Sequence, residues 1–309
     1  MKNKTYFEFF FLITLGVLTS LSLPPYNFLF VNFITFSLFF IYIFQKRKLA
    51  NKIKAFFYGW FFGFGYFLSS LYWITISLTF DENFKFLIPV ALILIPAFLA
   101  TFYGLAIYCL FVFKVRKPVS SLFLFSLLIG TIEFLRGIIL TGFPWNLIAY
   151  SFSNNLEIIQ ITSFIGTYAF NMLCITFFAS PAIFILRKNR KEIFLGVFIL
   201  LSPIILYIVG SSKIKTFQSL KLIQNDYVIR AIGSNIELNR FYGNSDTTSV
   251  IEELIDLSEP DLDTKTLFIW PEGIIPNINK SELKDYKYLF NNKFNKNHLL
   301  GIGINSYEA

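Results

Sequence analysis

Apolar stretches of bilayer-crossing length recur along this chain, and no other feature restricts its fold as severely. A straight transmembrane helix takes roughly 20 mostly apolar residues. Stretches that reach or approach that length lie at about 6–22, 28–44, 56–80, 86–113, 119–135, 158–186 and 193–210. Hydrophobic residues make up 55% of the 309, charged residues 15%, and the mean hydropathy is +0.60. An ordinary water-soluble globule has no use for that balance. The pattern predicts a polytopic α-helical membrane bundle of about seven helices over residues 1–212. The first run is followed by Leu23-Pro24-Pro25 and shows no small-residue cleavage pattern. It is therefore expected to stay as a helix that also targets the chain to the membrane.

The formal charge of +8 has to be read by position. Lys2 and Lys4 precede the first run, and Lys46-Arg47-Lys48 with Lys52 and Lys54 follow the second. Lys114, Arg116 and Lys117 follow the fourth run, and Arg187, Lys188, Arg190 and Lys191 follow the sixth. The intervening connectors, Pro24-Pro25-Tyr26-Asn27, Asp81-Glu82-Asn83 and residues 137–157, carry few basic residues. Under the positive-inside rule the basic connectors and the N-terminus are cytoplasmic, and an odd number of spans puts everything after Gly210 on the far side. Cations flanking apolar helices report topology and lipid headgroups, so no nucleic-acid partner is expected. Cys109 and Cys174 both lie inside apolar runs, where a thiol has little thiolate character. They are expected to be small core residues, neither a disulfide nor a metal site. Gly301-Ile302-Gly303 lacks the third glycine and following helix of a dinucleotide motif, and no cofactor is expected.

An isolated charge at the bilayer centre costs at least a few kcal/mol, so intramembrane charges need a partner or a purpose. Glu133 and Arg136 are three apart near the outer end of the fifth run, as a structural ion pair or a substrate contact. Glu8 lies close enough to the cytoplasmic surface to reach water. After Gly210 the pattern becomes that of a water-soluble domain, residues 213–309. Residues 228–233 read as a strand, 245–257 as a polar helix, and 266–270 as a strand buried on both faces and ended by Pro271. A second polar helix is expected at about 281–296 and a third strand at 299–304. That alternation is a βαβ layer with a parallel sheet. Three parallel strands with an open edge make a small domain, so a further segment or a second chain is expected to complete it.

Trp270-Pro271-Glu272-Gly273 places a carboxylate just past the C-terminal end of the middle strand, where α/β sheets put their active sites. A glutamate there is either a general base or a solvated turn residue. Residues 269–276, Ile-Trp-Pro-Glu-Gly-Ile-Ile-Pro, resemble the first active-site signature of the nitrilase superfamily in its membrane-bound branch, the apolipoprotein N-acyltransferases. Gly142-Phe143-Pro144-Trp145-Asn146 with Ala149-Tyr150-Ser151 resembles that family's Gly-Phe-Pro-Trp loop. Gln160 with Gly166-Thr167-Tyr168 resembles the element that follows it. Leu23-Pro24-Pro25-Tyr26 resembles the Pro-rich turn after the first helix, and Gly233-Ser234-Asn235-Ile236 the close of the first nitrilase strand. The likeness runs from about Leu21 to Asn305.

The resemblance implies a bundle followed by the first half of a periplasmic nitrilase-like domain, in the bacterial inner membrane. It implies transfer of an acyl chain from a phospholipid, through a cysteine thioester, to the α-amine of a diacylglyceryl-cysteine lipoprotein. Glu272 falls on the family's catalytic glutamate. Pro144, Trp145 and Tyr242 fall on substrate-binding positions, with Tyr242 at an aromatic gate. Phe143, Trp145 and Tyr150 either guide an acyl chain or anchor the loop at the headgroups. The family's lysine and cysteine lie downstream of the third strand, and the 309 residues end before either. The chain is thus expected to be part of a split or truncated enzyme, or else a non-catalytic membrane subunit or scaffold that keeps the fold. A transporter fits less well, since no internal repeat is found.

Overall fold

The computed structural model describes residues 2–48, 50–113, 115–140, 142–220, 226–233, 246–275 and 278–306. Its contacts divide the chain into two compact units, Met1–Leu220 and Lys221–Ala309. The first is a bundle of apolar helices: α1 (Lys2–Ser20), α2 (Val31–Lys46), α3 (Lys52–Ser70), α4 (Ile88–Val112), α5 (Pro118–Arg136), α6 (Leu156–Ile159), α7 (Thr162–Ala179), α8 (Ala182–Leu186) and α9 (Arg190–Ser219). Among the described residues, four helical stretches are long and apolar enough to cross a membrane: Glu82–Val112, Pro118–Arg136, Thr162–Ala179 and Arg190–Ser219. A fifth is formed if α3 and its 3-10 continuation Tyr72–Thr79, bent by 46°, count as one span. The apolar stretches Tyr6–Ser20 and Val31–Lys46 are shorter.

Within this unit the packing is aromatic. Lipid tails are as apolar as the side chains, so cohesion rests on fit and on polar contacts between helices more than on exclusion of water. Phe39 on α2 stacks on Phe62 on α3 with ring centroids 4.0 Å apart, and Phe125 from α5 meets Phe39 edge-on. The Trp60 indole donates to the Ala97 carbonyl (3.0 Å), tying α3 to α4. Cys174 is buried in this core, and neither cysteine is in a disulfide. Glu8, expected to reach water, is partly exposed and pairs with Lys46 of α2.

Three expected helices differ in their course. The run 56–80 stops being α-helical at Ser70, where the Ser69 and Ser70 hydroxyls bond back to the Gly65 and Tyr66 carbonyls, a back-bonding that bends and slightly weakens a helix. The run 158–186 is broken into α6, α7 and α8; Pro181, which brings no N–H to the next turn, stands between α7 and α8, and Gly166 kinks α7 from within by its positive φ. The last run extends past 210 to Ser219, about 45 Å at 1.5 Å per residue. This is more than the hydrocarbon needs. The units accordingly divide after Leu220, a little beyond the expected 212.

The second unit is a three-stranded parallel sheet in the order β1 (Val228–Ala231), β2 (Thr266–Glu272), β3 (His298–Gly303). Helix α10 (Thr247–Ser258) follows β1. Its start is fixed by Asp246, whose carboxylate accepts from the Thr248 and Ser249 amides. Its end is fixed by the Arg230 guanidinium, which donates to the Ser258 and Glu259 carbonyls. Val250, Ile251, Leu254 and Ile255 of α10 and Phe268 and Trp270 of β2 form the core. The expected helix at 281–296 is only a 3-10 turn, Glu282–Tyr286, and a short helix α11 (Lys287–Asn291). Beyond it the Asn295 carboxamide accepts from the Asn297 N–H two residues on and donates to the distant Leu262 carbonyl.

Strand β2 is buried on one face only, which corrects the expectation of burial on both. Thr266, Phe268 and Trp270 are buried, but Ile269 between them is 43% exposed. On the same face Ile229, Leu267 and Leu299 stand in register across the three strands. Ile229 is 57% exposed and Leu299 70%. The described helices cover the other face, so the sequence's apolar run met one packed layer where two were expected.

Trp270 is locked by its indole N–H, which donates to the buried Ser258 hydroxyl (2.9 Å). Ser258→Ala strands that donor, and a buried unsatisfied group costs about 1–3 kcal/mol. The expected result is faster amide exchange across β2 of the full chain, read by deuterium uptake in a peptide covering Thr266–Trp270. Unchanged protection would mean that this bond does not hold the strand.

Candidate functional site

The signature residues occupy the C-terminal end of the central strand. Trp270 pairs with Ile302 and Glu272 with Gly303, with an irregularity between them at Pro271, a residue that has no N–H to give the ladder. Glu272 is therefore the last residue of β2 and not, as expected, just beyond it. Its side chain is exposed. Two glycines shape this end. A Cβ on Gly303 would fall 2.6 Å from the Glu272 Cα, so only glycine lets β3 come this close. Gly273, at φ +65, turns the chain away and donates its N–H to the Gly303 carbonyl (3.2 Å). A carboxylate held at the rim of a parallel sheet can take and return a proton from a group brought to that rim.

In the bundle unit, the loop that follows α5 is held by buried groups. Arg136 is 1% exposed and Glu133 is 0%. The Arg136 Nη2 donates to Glu133 Oε2 (2.6 Å) and its Nη1 to the Phe143 carbonyl (2.6 Å). The Tyr103 hydroxyl donates to Glu133 Oε1 (2.6 Å). Phe67 and Phe143 place their rings 5.2 and 5.8 Å from the guanidinium. The Tyr66 hydroxyl donates to the Asn146 carbonyl (2.8 Å). Asn146 has φ +58, a left-handed conformation that asparagine tolerates best after glycine. Gly142, at φ +80, is pressed against the Gly137 carbonyl, where a Cβ would come within 2.3 Å. The ion pair expected from the i,i+3 spacing is thus present, and one of its bonds goes to the loop backbone.

This loop presents Pro144 and Trp145 outward. Trp145 is 56% exposed and meets Trp73 edge-on at 6.3 Å, and Tyr150 donates to the Pro144 carbonyl (3.4 Å). Beside it opens a cavity of about 360 Å³ lined by Phe98, Leu99, Phe102, Ile139, Leu140 and Phe143, with Arg136 also on its wall. Tyr168, from the expected Gly-x-Tyr element, packs edge-on against Phe134 of α5, with its hydroxyl over Gly137. Pro144 and Trp145 belong to the bundle unit and Glu272 to the sheet unit. Tyr242 and the Ser234-Asn235-Ile236 segment lie outside the described residues. Tyr66 and Tyr103 were not anticipated. Their signal is weak in the sequence, since a tyrosine in an apolar run looks like any other aromatic until its hydroxyl finds a partner.

Residues 15–180 match the family described as the apolipoprotein N-acyltransferase N-terminal domain. An apolipoprotein N-acyltransferase of Rhodopseudomonas palustris is 31% identical over 280 residues, which is 84% of this chain and 50% of that protein. The enzyme of the same name from Rhizobium etli is 33% identical over 183 residues, 57% of this chain and 34% of that protein. That of Brucella melitensis is 27% identical over 288 residues, 86% of this chain and 52% of that protein. The chain spans about half the length of the curated relatives it matches. With more than half of its residues inside the family's N-terminal domain, and with the order of loop, bundle and sheet that its motifs imply, this chain belongs to the apolipoprotein N-acyltransferase family.

Proposed function

We propose that this chain supplies the membrane bundle and the first half of a periplasmic nitrilase-like domain in an enzyme that N-acylates bacterial lipoproteins. The observation that carries the reading is the carboxylate of Glu272, set at the rim of a parallel sheet in a chain of this family. In the proposed reaction a cysteine thiol gives its proton to Glu272, and the thiolate attacks an ester carbonyl of a phospholipid. The C–O bond breaks, Glu272 returns the proton to the leaving lysophospholipid oxygen, and a thioester remains. The α-amine of a diacylglyceryl-cysteine lipoprotein then attacks the thioester and passes its proton through Glu272 to the leaving thiolate, so that the thiol is restored. The nucleophilic cysteine and an oxyanion-binding lysine would come from outside these 309 residues, from further chain or from a second polypeptide.

Pro144 and Trp145, with Tyr242, are assigned to substrate binding, and the apolar cavity beside Phe143 is a slot of suitable chemistry for an acyl chain. The exposed apolar face of the sheet suits a second layer that completes the domain. The rival, a non-catalytic subunit or scaffold, draws on one observation: both cysteines of this chain sit in helices of the bundle.

With the seven spans that the hydropathy pattern predicts, Glu272 lies on the side of the membrane opposite the basic connectors. Single cysteines at the exposed positions Lys284 and Lys52, introduced with Cys109 and Cys174 replaced by alanine, test this. A maleimide that does not cross the cytoplasmic membrane is expected to label Lys284→Cys in intact spheroplasts and Lys52→Cys only after lysis. The reverse pattern would put Glu272 away from its lipid substrates and end the proposal.

A further inference from the structure

The basic connectors that set the topology also build a site. Three of them converge at one end of the bundle: the one after α2, with Arg47 and Lys48, the one after α4, with Phe113, Val115 and Arg116, and the one after α8, with Lys188. With Phe44 of α2 and Phe111 of α4 they line a cavity of about 600 Å³. Among the described residues, eight line it, of which four are cations and none is an anion. This end is the start of α5, whereas the Phe143–Asn146 loop follows its end. Nineteen residues at 1.5 Å each separate the two by about 28 Å. The cavity is therefore distinct from the site assigned to acyl transfer.

Arg47 is fixed in the wall rather than waving in solvent. Its Nη1 donates to the Val115 carbonyl (2.7 Å) and the Ser121 hydroxyl (3.0 Å). Its Nη2 donates to the Leu110 carbonyl (2.8 Å) and to that of Phe113. All four acceptors are neutral, so the guanidinium is positioned but its charge is not cancelled. Of the carboxylates at the same end, Glu8 pairs with Lys46, and Glu192 accepts from the backbone N–H of the lining residue Lys188. Neither lines the cavity. Lys48, Arg116 and Lys188 are exposed, with donors free to turn toward a ligand.

We propose that this cavity binds the phosphate headgroup of an anionic phospholipid, its glycerol and first methylenes lying on Phe44, Phe111 and Phe113. A basic pocket between helix ends at the membrane surface has the chemistry for such a headgroup. Arg47, its Nη donors spent on the wall, contributes charge, while the exposed Arg116 offers a planar fork that matches phosphate oxygens. Four cations without a lining carboxylate favour a lipid of net negative charge over a zwitterionic one, whose ammonium or choline would be repelled. The aromatic floor favours a lipid over a free phosphate ion.

The full chain in a neutral detergent, probed by native mass spectrometry, tests this with phosphatidylglycerol, phosphatidylcholine and inorganic phosphate. Phosphatidylglycerol is expected to be retained at least tenfold more strongly than phosphatidylcholine. Each cation near a headgroup is worth about fivefold, so Arg116→Gln with Lys188→Gln is expected to weaken phosphatidylglycerol roughly 20- to 30-fold and leave phosphatidylcholine unchanged. Both positions are exposed, and an unchanged thermal midpoint without added lipid checks that the double variant folds. Three results would overturn the assignment: equal retention of the two lipids by the unsubstituted chain, an unchanged preference in the folded double variant, or displacement of phosphatidylglycerol by millimolar inorganic phosphate.

Discussion

Arg136→Ala is expected to destabilise the bundle by about 3–5 kcal/mol, the usual cost of removing one member of a buried ion pair. Both partners are essentially inaccessible, so the substitution leaves the Glu133 carboxylate in an apolar surrounding with the Tyr103 hydroxyl as its remaining side-chain donor. It also removes the donor to the Phe143 carbonyl and two cation–ring contacts. The penalty belongs to the charge left behind, more than to any net worth of the pair. Replacing both, Glu133→Gln with Arg136→Met, is therefore expected to recover a large part of the loss. Unfolding in mixed micelles, followed by far-UV circular dichroism, measures both variants. A loss below about 1 kcal/mol in Arg136→Ala would show that the pair is solvated or unneeded.

Glu133 and Arg136 also show what a sequence can and cannot announce. Two opposite charges three apart in an apolar run are legible as a pair, because an unpaired charge would not be tolerated there. That the arginine's other nitrogen reaches the Phe143 carbonyl depends on a turn at Gly142 that brings the loop back over the helix end. Hydropathy is blind to that geometry. The helices were legible for the same reason as the pair, since length and apolarity are all that a bilayer asks of them. Their interruptions were not. Ser69 and Ser70 stand at the end of α3 with hydroxyl back-bonds that any serine can make or decline, and the kink in α7 turns on one φ at Gly166.

In the second unit, the order of strands and helices followed from turn residues and apolar runs, but the coverage of β2 did not. A run such as 266–270 looks alike whether one layer or two packs against it. The short α11 fell below expectation where Asn295 bonds to the Asn297 amide and to the Leu262 carbonyl of a distant turn. The basic cavity was hidden for a different reason. Its cations were read as topological signals, while the meeting of three connectors far apart in sequence is a property of the fold alone.

The other large effect is expected at Glu272. A general base usually contributes about 10²- to 10⁴-fold. Glu272→Gln keeps the shape of an exposed side chain and removes its ability to carry a proton. The strand should remain intact, with β2 as protected from exchange as before. The measurement is the mass of a reporter lipoprotein from cells depleted of their own N-acyltransferase and supplied with the gene that carries this chain. Triacylated lipoprotein with the unsubstituted gene, and a loss of at least about 100-fold with Glu272→Gln, is the result predicted here. Equal triacylation by the two would contradict the account, because the carboxylate at the sheet rim would then carry no proton in the reaction.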